Sequence, residues 1–189
     1  MSEAHDAPSP PEDPRRRRLM EVAITVFLRF GFRKTSMDEV AQAAGLSRQG
    51  LYLHFATKEE LFRASVQHLL DGALAEATAC FANEELPVAG RLVGGFDAWI
   101  GRFVGVLGGN AADLAAAASE LVGPMVAERE GLFIEAVTRA VRGSGLVAAY
   151  KPVGLTARQL ADTLYATARG LKYSATREAF LAGMTVAVR

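Results

Sequence analysis

Cysteine is almost absent from this chain of 189 residues, which contains only Cys80. A single thiol excludes an intramolecular disulfide and a cysteine-rich zinc site, and it fits a reducing cytosol. The first 14 residues have no basic start followed by an apolar stretch, so they are not a secretory signal. Because no 18-residue run is apolar and uncharged, a membrane span is not expected either. We therefore expect a cytoplasmic protein without a membrane partner.

Motifs for catalysis are also missing. The sequence has no Walker loop, no GxSxG elbow and no HExxH motif. Its three histidines and one cysteine are scattered, which leaves little material for a catalytic triad. His54 has no histidine or cysteine near it in the sequence, so a metal-ligand role is not expected. An all-α enzyme is therefore a weak alternative, and we expect no catalytic residue, no cofactor and no metal.

Net charge is zero, with 21 basic and 21 acidic side chains, but the charges are unevenly distributed. Residues 1–14 carry four acids and no base. Residues 15–63 carry ten basic and five acidic side chains, a net charge of +5, and residues 64–189 are nearly neutral. Such asymmetry suggests a polyanion partner for the basic segment. The alternative is a solvated surface that happens to be basic.

The apolar spacing is helical from Arg15 onwards, and no run alternates as a β-strand does, which predicts an all-α fold. The acidic, proline-rich leader, residues 1–14, is expected to be disordered. A first helix is predicted over 15–31, with one apolar face formed by Leu19, Val22, Ala23, Val26, Phe27 and Phe30. Capping boxes starting at Ser36 and Thr57 predict a second helix and a fourth that runs towards Cys80.

The spacing between these elements predicts a helix-turn-helix over residues 37–55. A helix over 37–44 is followed by a tight turn at Gly45, where a positive φ is expected, and by a buried spacer, Leu46. Ser47 then caps a helix over 47–55. The first turn of this helix is predicted to enter a DNA major groove, where Arg48 suits guanine and Gln49 suits adenine.

Residues 31–62 read GFRKTSMDEVAQAAGLSRQGLYLHFATKEELF and resemble the N-terminal signature of the TetR family of one-component transcriptional regulators. The resemblance implies a three-helix DNA-binding domain at 15–63 and a helical ligand-binding and dimerisation domain at 64–189. It implies a homodimer that binds a palindromic operator on double-stranded DNA, usually as a repressor. It also implies that a small hydrophobic effector releases the protein from the operator.

The resemblance also implies roles for individual residues. It places phosphate contacts at Thr35, Ser36, Tyr52, His54 and Lys58. It places Ser47, Arg48, Gln49 and Gly50 at the floor of the groove. The family often has glycine and a small residue where this chain has Gln49 and Gly50, so a base preference cannot be carried over.

Several of these residues have a second interpretation. The run from Arg15 to Arg18 is either a solvated helix start or an arm that grips DNA. Tyr52 either packs on the first helix or contacts phosphate. Cys80 is a small core residue on the fourth helix or, as the weaker alternative, a redox sensor. A helical interaction module with a vestigial motif is a third hypothesis for the whole chain, disfavoured by the well-formed caps.

The C-terminal half carries no comparably sharp motif. Residues 88–107 are predicted as a helix in which glycines allow close packing beside large rings. These rings suggest either ordinary core packing or an effector cavity. The candidate lining residues are Phe96, Trp99, Phe103, Met125, Phe133 and Tyr165. Arg169 is a candidate for an anionic ligand group, or a partner of Glu120 or Asp97.

The remaining helices are predicted from proline, glycine and capping signals. Pro124 is expected to open a helix that ends at Gly143, and residues 143–155 are expected to form a loop. A helix capped by Thr156 and a last helix containing Phe180 and Met184 follow. Together, at about 156–188, they are the expected dimerisation pair of a four-helix bundle. The alternative is that they only complete the core of the monomer.

Overall fold

The computed structural model describes residues 13–106, 111–150, 152 and 154–188. Every regular element in these ranges is helical, as predicted. The helices are α1 (Pro14–Phe30), α2 (Met37–Ala43), α3 (Arg48–Tyr52), α4 (Lys58–Ala82), α5 (Val88–Trp99), α6 (Ala111–Gly143), α7 (Leu146–Tyr150), α8 (Ala157–Leu171) and α9 (Arg177–Ala187). A short 3₁₀ turn, Gly101–Phe103, follows α5. Most of the predicted acidic leader lies outside the described residues.

The start of α1 uses the last two residues assigned to that leader. The Asp13 side chain caps the helix by accepting a hydrogen bond from the backbone N–H of Arg15 at 3.0 Å. Pro14 suits the first turn, where a missing N–H costs nothing. The predicted apolar face is buried except at Val22, which is half-buried, and at Phe30, which is exposed in the last turn with the Arg29 guanidinium over its ring. Gly31, with φ 87°, ends the helix.

The N-terminal core is built by α1, α2, α3 and the start of α4. Phe27 and Phe62 meet edge to face, with ring centroids 5.2 Å apart, and Val40 and Leu51 are fully buried beside them. The same core takes in three residues of α6, which are Leu114, Ala117 and Val122. Burying one large apolar side chain contributes about 1.5–3 kcal/mol, so α6 is part of what stabilises this core.

The C-terminal core surrounds Phe133 of α6. Its ring stacks on Trp99 at 4.9 Å, meets Phe96 edge to face at 5.3 Å and lies 6.0 Å from Tyr165. Residues of α4, α5, α8 and α9 complete this cluster. Helix α4 therefore passes without a break from one core to the other. The predicted boundary between residues 63 and 64 falls inside it, so the division into two domains there stays a proposal.

Two predicted helix limits in the C-terminal half are wrong. Helix α5 ends at Trp99 and does not extend to 107, because Ile100 leaves the helical conformation and Gly101 begins the 3₁₀ turn. Pro124 does not open a helix but lies inside α6. An interior proline costs about 3 kcal/mol. The cost is offset by the packing of α6 along α4 and in both cores. Leu107, at the end of the predicted helix, lies outside the described residues.

Close packing at glycines is confirmed in the C-terminal half. A Cβ on Gly95 would lie 2.0 Å from Cε1 of Phe81, and one on Gly101 would lie 2.7 Å from Cε1 of Phe180. These glycines let α4 and α9 approach the backbone of the α5 segment. An ion pair between Arg177 and Asp97 also ties α9 to α5.

The last elements follow their capping signals. Thr156 and Gln159 form the reciprocal capping box at the start of α8, as predicted, and Phe180 and Met184 of α9 are fully buried in the core of this chain. The loop predicted at 143–155 is wrong in part, because α7 begins after the Ser144 hydroxyl accepts a hydrogen bond from the Leu146 N–H. Among the described residues, no helix is long and apolar enough to cross a membrane.

Candidate functional site

The start of α2 is fixed by two reciprocal hydrogen bonds. The Ser36 hydroxyl accepts from the Glu39 N–H at 3.2 Å, and the Glu39 carboxylate accepts from the Ser36 N–H at 2.7 Å. Hydrogen bonds from the Ser36 backbone and then its hydroxyl lower the pKa of Glu39, and the charge of Lys58 lowers it slightly further. The capping box predicted at Ser36 is thereby confirmed.

The turn between α2 and α3 requires glycine because of its backbone conformation. Gly45 has φ 68°, and no atom lies within 4 Å of the position that a Cβ would take there. The Leu46 N–H then donates to the Ala41 carbonyl at 2.9 Å, which closes the end of α2. Leu46 itself is 40% exposed, so the prediction of a buried spacer is wrong. Leu51 and Phe55 fill the interior beneath the turn instead.

Helix α3 is shorter than the predicted 47–55, because its regular hydrogen bonding ends at Tyr52. Ser47 caps it by accepting from the Gly50 N–H at 3.1 Å, so its hydroxyl is engaged within the turn. Arg48 and Gln49 are exposed, and Gly50 is half-buried between them and the turn. A Cβ on Gly50 would approach Ser47 Oγ to 3.3 Å. The first turn therefore presents two long polar side chains over a close-packed backbone.

Beside α3 lies an open cleft of about 370 Å³, called the basic cleft here. Four of its lining residues are cationic and one is acidic. The nine lining residues are Arg33, Lys34, Thr35, Ser36, Met37, Asp38, Arg48, Tyr52 and Lys58. The structure thus brings together five of the predicted DNA-contact residues along one concave surface.

Two of these five, Thr35 and Lys58, donate hydrogen bonds to backbone carbonyls. Thr35 is only 2% exposed, and its hydroxyl donates to the Gly31 carbonyl at 2.6 Å, so this hydroxyl is engaged within the chain and the phosphate contact at Thr35 stays a prediction. The Lys58 ammonium donates to the carbonyls of Phe32 and Thr35, both at 3.0 Å, and lies 4.5 Å from the Phe32 ring centroid. Lys58 therefore holds the α1–α2 loop against α4.

His54 lines a different cleft, of about 390 Å³, on the other flank of the turn. Arg15, Arg18 and the strongly exposed Leu53 (82%) also line it. Arg16 is partly packed, with its guanidinium 4.5 Å from the Phe55 ring centroid, whereas Arg15, Arg17 and Arg18 are exposed. This run therefore combines one packed cation with three side chains directed to solvent.

The sequence interpretation missed the partner of Arg48. Its Nη1 lies 3.2 Å from Oδ2 of Asp38, and its guanidinium carbon lies 5.6 Å from the Tyr52 ring centroid. The pKa of Arg48 is raised, first by a hydrogen bond with Tyr52 and then by the charge of Asp38. Asp38 and Arg48 belong to different helices, so no periodic pattern pairs them. Tyr52 is exposed, as its predicted surface role requires.

In the C-terminal half, the predicted cavity residues do not line one common cavity, although Phe96, Trp99 and Tyr165 all pack around Phe133. Phe96 and Phe133 are fully buried in the core, and Met125 packs against the N-terminal core. Tyr165 is also buried, and burial, followed by a hydrogen bond with Glu130, raises its pKa. Arg169 is exposed on α8, and the Asp97 carboxylate considered as its partner is held by Arg177. The interpretation as core packing is therefore correct for most of this set.

Trp99 and Phe103 do line an open cavity of about 540 Å³. The start of α6 and the segment after α8 form its other walls. The remaining lining residues are Ile100, Val104, Gly105, Ala111, Ala112, Ala115, Lys172 and Tyr173. The wall is mostly apolar, and Lys172 is its cation.

Cys80 faces α5 on the other side of the C-terminal core. Its side chain is half-buried, with Sγ 3.4 Å from the position of a Cβ on Gly94. Burial, followed by the charges of Glu76 and Asp97, raises the pKa of its thiol. A raised pKa disfavours the reactive thiolate, so the structure favours the packing interpretation.

The segment that carries this site is similar to known proteins. Residues 19–65 match the model described as "Bacterial regulatory proteins, tetR family". An uncharacterised HTH-type transcriptional regulator, YfiR of Bacillus subtilis, is 43% identical over 63 residues, which are 33% of this chain and 31% of that protein. The HTH-type transcriptional activator FasR of Mycolicibacterium smegmatis is 43% identical over 61 residues, 32% of this chain and 28% of that protein.

The similarity to each of these relatives covers about a third of this chain and less than a third of the length of the relative. The fold similarity extends further. The crystal structure of a TetR-family transcriptional regulator from Rhodococcus sp. covers 92% of this chain and 96% of its own, with a TM-score of 0.67 and 20% identity. At this identity the match establishes a shared fold alone.

Proposed function

Because this chain belongs to the TetR family of bacterial regulatory proteins, we propose that it is a dimeric, ligand-responsive repressor that binds a palindromic DNA operator. The single observation that carries this proposal is the exposed first turn of α3 beside the basic cleft. Arg48 and Gln49 read base edges there, and the net charge of +5 over residues 15–63 attracts the phosphates.

Phosphate contacts are assigned to exposed or half-buried groups on both flanks of α3. On one flank, Lys34 and Ser36 line the basic cleft together with the Tyr52 hydroxyl. On the other, His54 lies beside Arg15 and Arg18. Contacts on two flanks would fix the register of α3 in the major groove, while the base contacts set the sequence preference.

Dimerisation is assigned to α8 and α9. Both helices bury one face in the chain's own core, yet Tyr173 and Val186 in this region remain strongly exposed. Large exposed apolar side chains of this kind suit a two-fold contact with a second copy. The mass of the protein in size-exclusion chromatography with light scattering distinguishes the dimer from the monomer.

The effector is proposed to enter the cavity beside Trp99. Its volume lies within the range of small-molecule sites, and its apolar wall suits a hydrophobic compound. Ala111 and Ala112 line it at the start of α6, and Leu114 of the same helix is buried in the N-terminal core. A bound compound would thus press on the helix that supports the DNA-binding core.

Binding of the full-length protein to palindromes from its own upstream DNA tests the proposal. Affinity for a specific site should exceed affinity for random duplex, and should fall steeply and linearly on a log–log plot against salt. Arg48→Ala should weaken specific binding by roughly tenfold or more and relax the preference at one base pair of each half-site. A flat salt response, or equal affinity for random DNA, would contradict DNA recognition by this chain.

A further inference from the structure

The basic cleft contains one acidic side chain, Asp38, on the surface proposed to face DNA. A carboxylate at that place repels the phosphates of DNA and by itself weakens binding. Its position beside Arg48 therefore needs an explanation. We propose that Asp38 is a specificity-determining residue that orients Arg48 towards base edges and keeps it from binding phosphate. This inference rests on the DNA binding proposed above and concerns how that binding discriminates between sequences.

The geometry leaves donors of the Arg48 guanidinium available. The ion pair with Asp38 joins Nη1 to Oδ2 at 3.2 Å, and it is the one hydrogen bond between these two side chains. Tyr52, four residues on along α3, also makes a hydrogen bond with the guanidinium, whose carbon lies 5.6 Å from the Tyr52 ring centroid. These two contacts engage two of the five N–H donors, so three remain, enough for the two parallel hydrogen bonds with which arginine reads guanine O6 and N7.

The stability of the fold does not explain the pair. The two side chains are 66% and 59% exposed, and exposed ion pairs of this kind add little to folding. The pair matters when DNA approaches, because water is then removed and a phosphate competes with Asp38 for the same cation. A base contact through the remaining donors keeps the ion pair, whereas capture by phosphate leaves the carboxylate unpaired and facing the DNA backbone.

Asp38 thus weakens binding to arbitrary DNA more than binding to the operator. Specificity is the difference between the affinity for the operator and the affinity for other DNA. A group that lowers the affinity for other DNA therefore raises specificity as effectively as a new contact with the operator does. The loss of Asp38 should therefore leave an Arg48 that binds more DNA sequences and distinguishes them less well.

The test compares Asp38→Asn with a matched control, Glu59→Gln, in full-length protein. Both substitutions remove one negative charge from the basic segment, but Glu59 lies in the first turn of α4 and does not line the basic cleft. Affinities are measured for the operator, for operators with each base pair changed in turn, and for random duplex. Circular dichroism and the urea midpoint verify that each variant is folded.

We expect Asp38→Asn to bind random duplex more tightly than Glu59→Gln does. Discrimination at the base pair read by Arg48 should fall by roughly fivefold or more, within the range that one bidentate contact supplies, and discrimination at the other base pairs should not change. In an Arg48→Gln background, Asp38→Asn should no longer affect that base pair, because the residue that it orients is absent.

Equal behaviour of Asp38→Asn and Glu59→Gln would overturn the proposal, since the effect would then be one of net charge. A loss of discrimination that persists in the Arg48→Gln background would overturn it too. If the unmodified protein prefers no DNA sequence, DNA recognition itself fails and Asp38 loses this role with it. A different outcome is that the unmodified protein binds its operator selectively and Asp38→Asn does not change this selectivity. In that case DNA recognition stands and only the role of Asp38 is refuted.

Discussion

Replacing Lys58 by methionine should destabilise the N-terminal core. The Lys58 ammonium donates to two backbone carbonyls at 3.0 Å, those of Phe32 and Thr35, and lies over the Phe32 ring. Methionine keeps the apolar stem and removes the charge and the donors. A hydrogen bond to a charged group contributes about 1.5–3 kcal/mol. Because Lys58 is half-buried and water can replace part of what is lost, we expect a total loss of about 1–3 kcal/mol.

Urea unfolding followed by circular dichroism measures this loss, at one fixed protein concentration because the stability of the proposed dimer would depend on that concentration. Lys34→Met is the matched control, since Lys34 lines the same basic cleft but is exposed. Its unfolding free energy should change by less than about 0.5 kcal/mol. Its affinity for DNA should become less dependent on salt, with a slope smaller by about one. Equal stability of Lys58→Met and Lys34→Met would refute the structural role given to Lys58.

Two further predictions concern packing and pH. In urea unfolding, Gly95→Ala should destabilise the chain by about 1–3 kcal/mol, because its Cβ would overlap the buried Phe81 ring. The control Gly90→Ala, whose Cβ would have its nearest neighbour at 3.7 Å, should be neutral or stabilising. A Gly95→Ala variant at least as stable as Gly90→Ala would contradict the close approach of Phe81 to Gly95. The lowered pKa of Glu39 means that its carboxylate adds stability above its ordinary pKa of 4.5, and that this contribution is lost as pH falls through the lower folded value. At pH 6 the urea midpoint of Glu39→Gln should therefore lie below that of the unmodified protein, and in acid the two midpoints should converge. If the difference between the two midpoints does not depend on pH, the Glu39 carboxylate is not what causes it.

The features that were predictable from sequence depend on local interactions. A capping box joins residues three apart, so the starts of α2 and α8 could be read from Ser36 with Glu39 and from Thr156 with Gln159. The positive φ of Gly45 follows from a tight turn between two short helices. The helix-turn-helix and its exposed first turn, including Arg48, were predictable for the same reason.

The features that were missed depend on distant parts of the chain. Pro124 is a local stop signal, but contacts with both cores keep α6 continuous through it. The sequence marks Phe96 and Trp99 as large and apolar, yet only the packed structure tells that one fills the core and the other lines a cavity. In the candidate site, the burial of Thr35 and the pairing of Asp38 with Arg48 arise where separate elements meet.

The sharing of α4 and α6 between the two cores limits how this chain can be recombined with others. A hybrid regulator joined at residue 63 would keep Phe62 but replace Leu114, Ala117 and Val122 with side chains selected to pack against another protein. The N-terminal core of the hybrid would then pack poorly against its new α6. The smallest unit that can be transferred with its core intact is therefore discontinuous in sequence. Residues 111–126 have to be transferred together with residues 13–82 if the hybrid is to keep the native core.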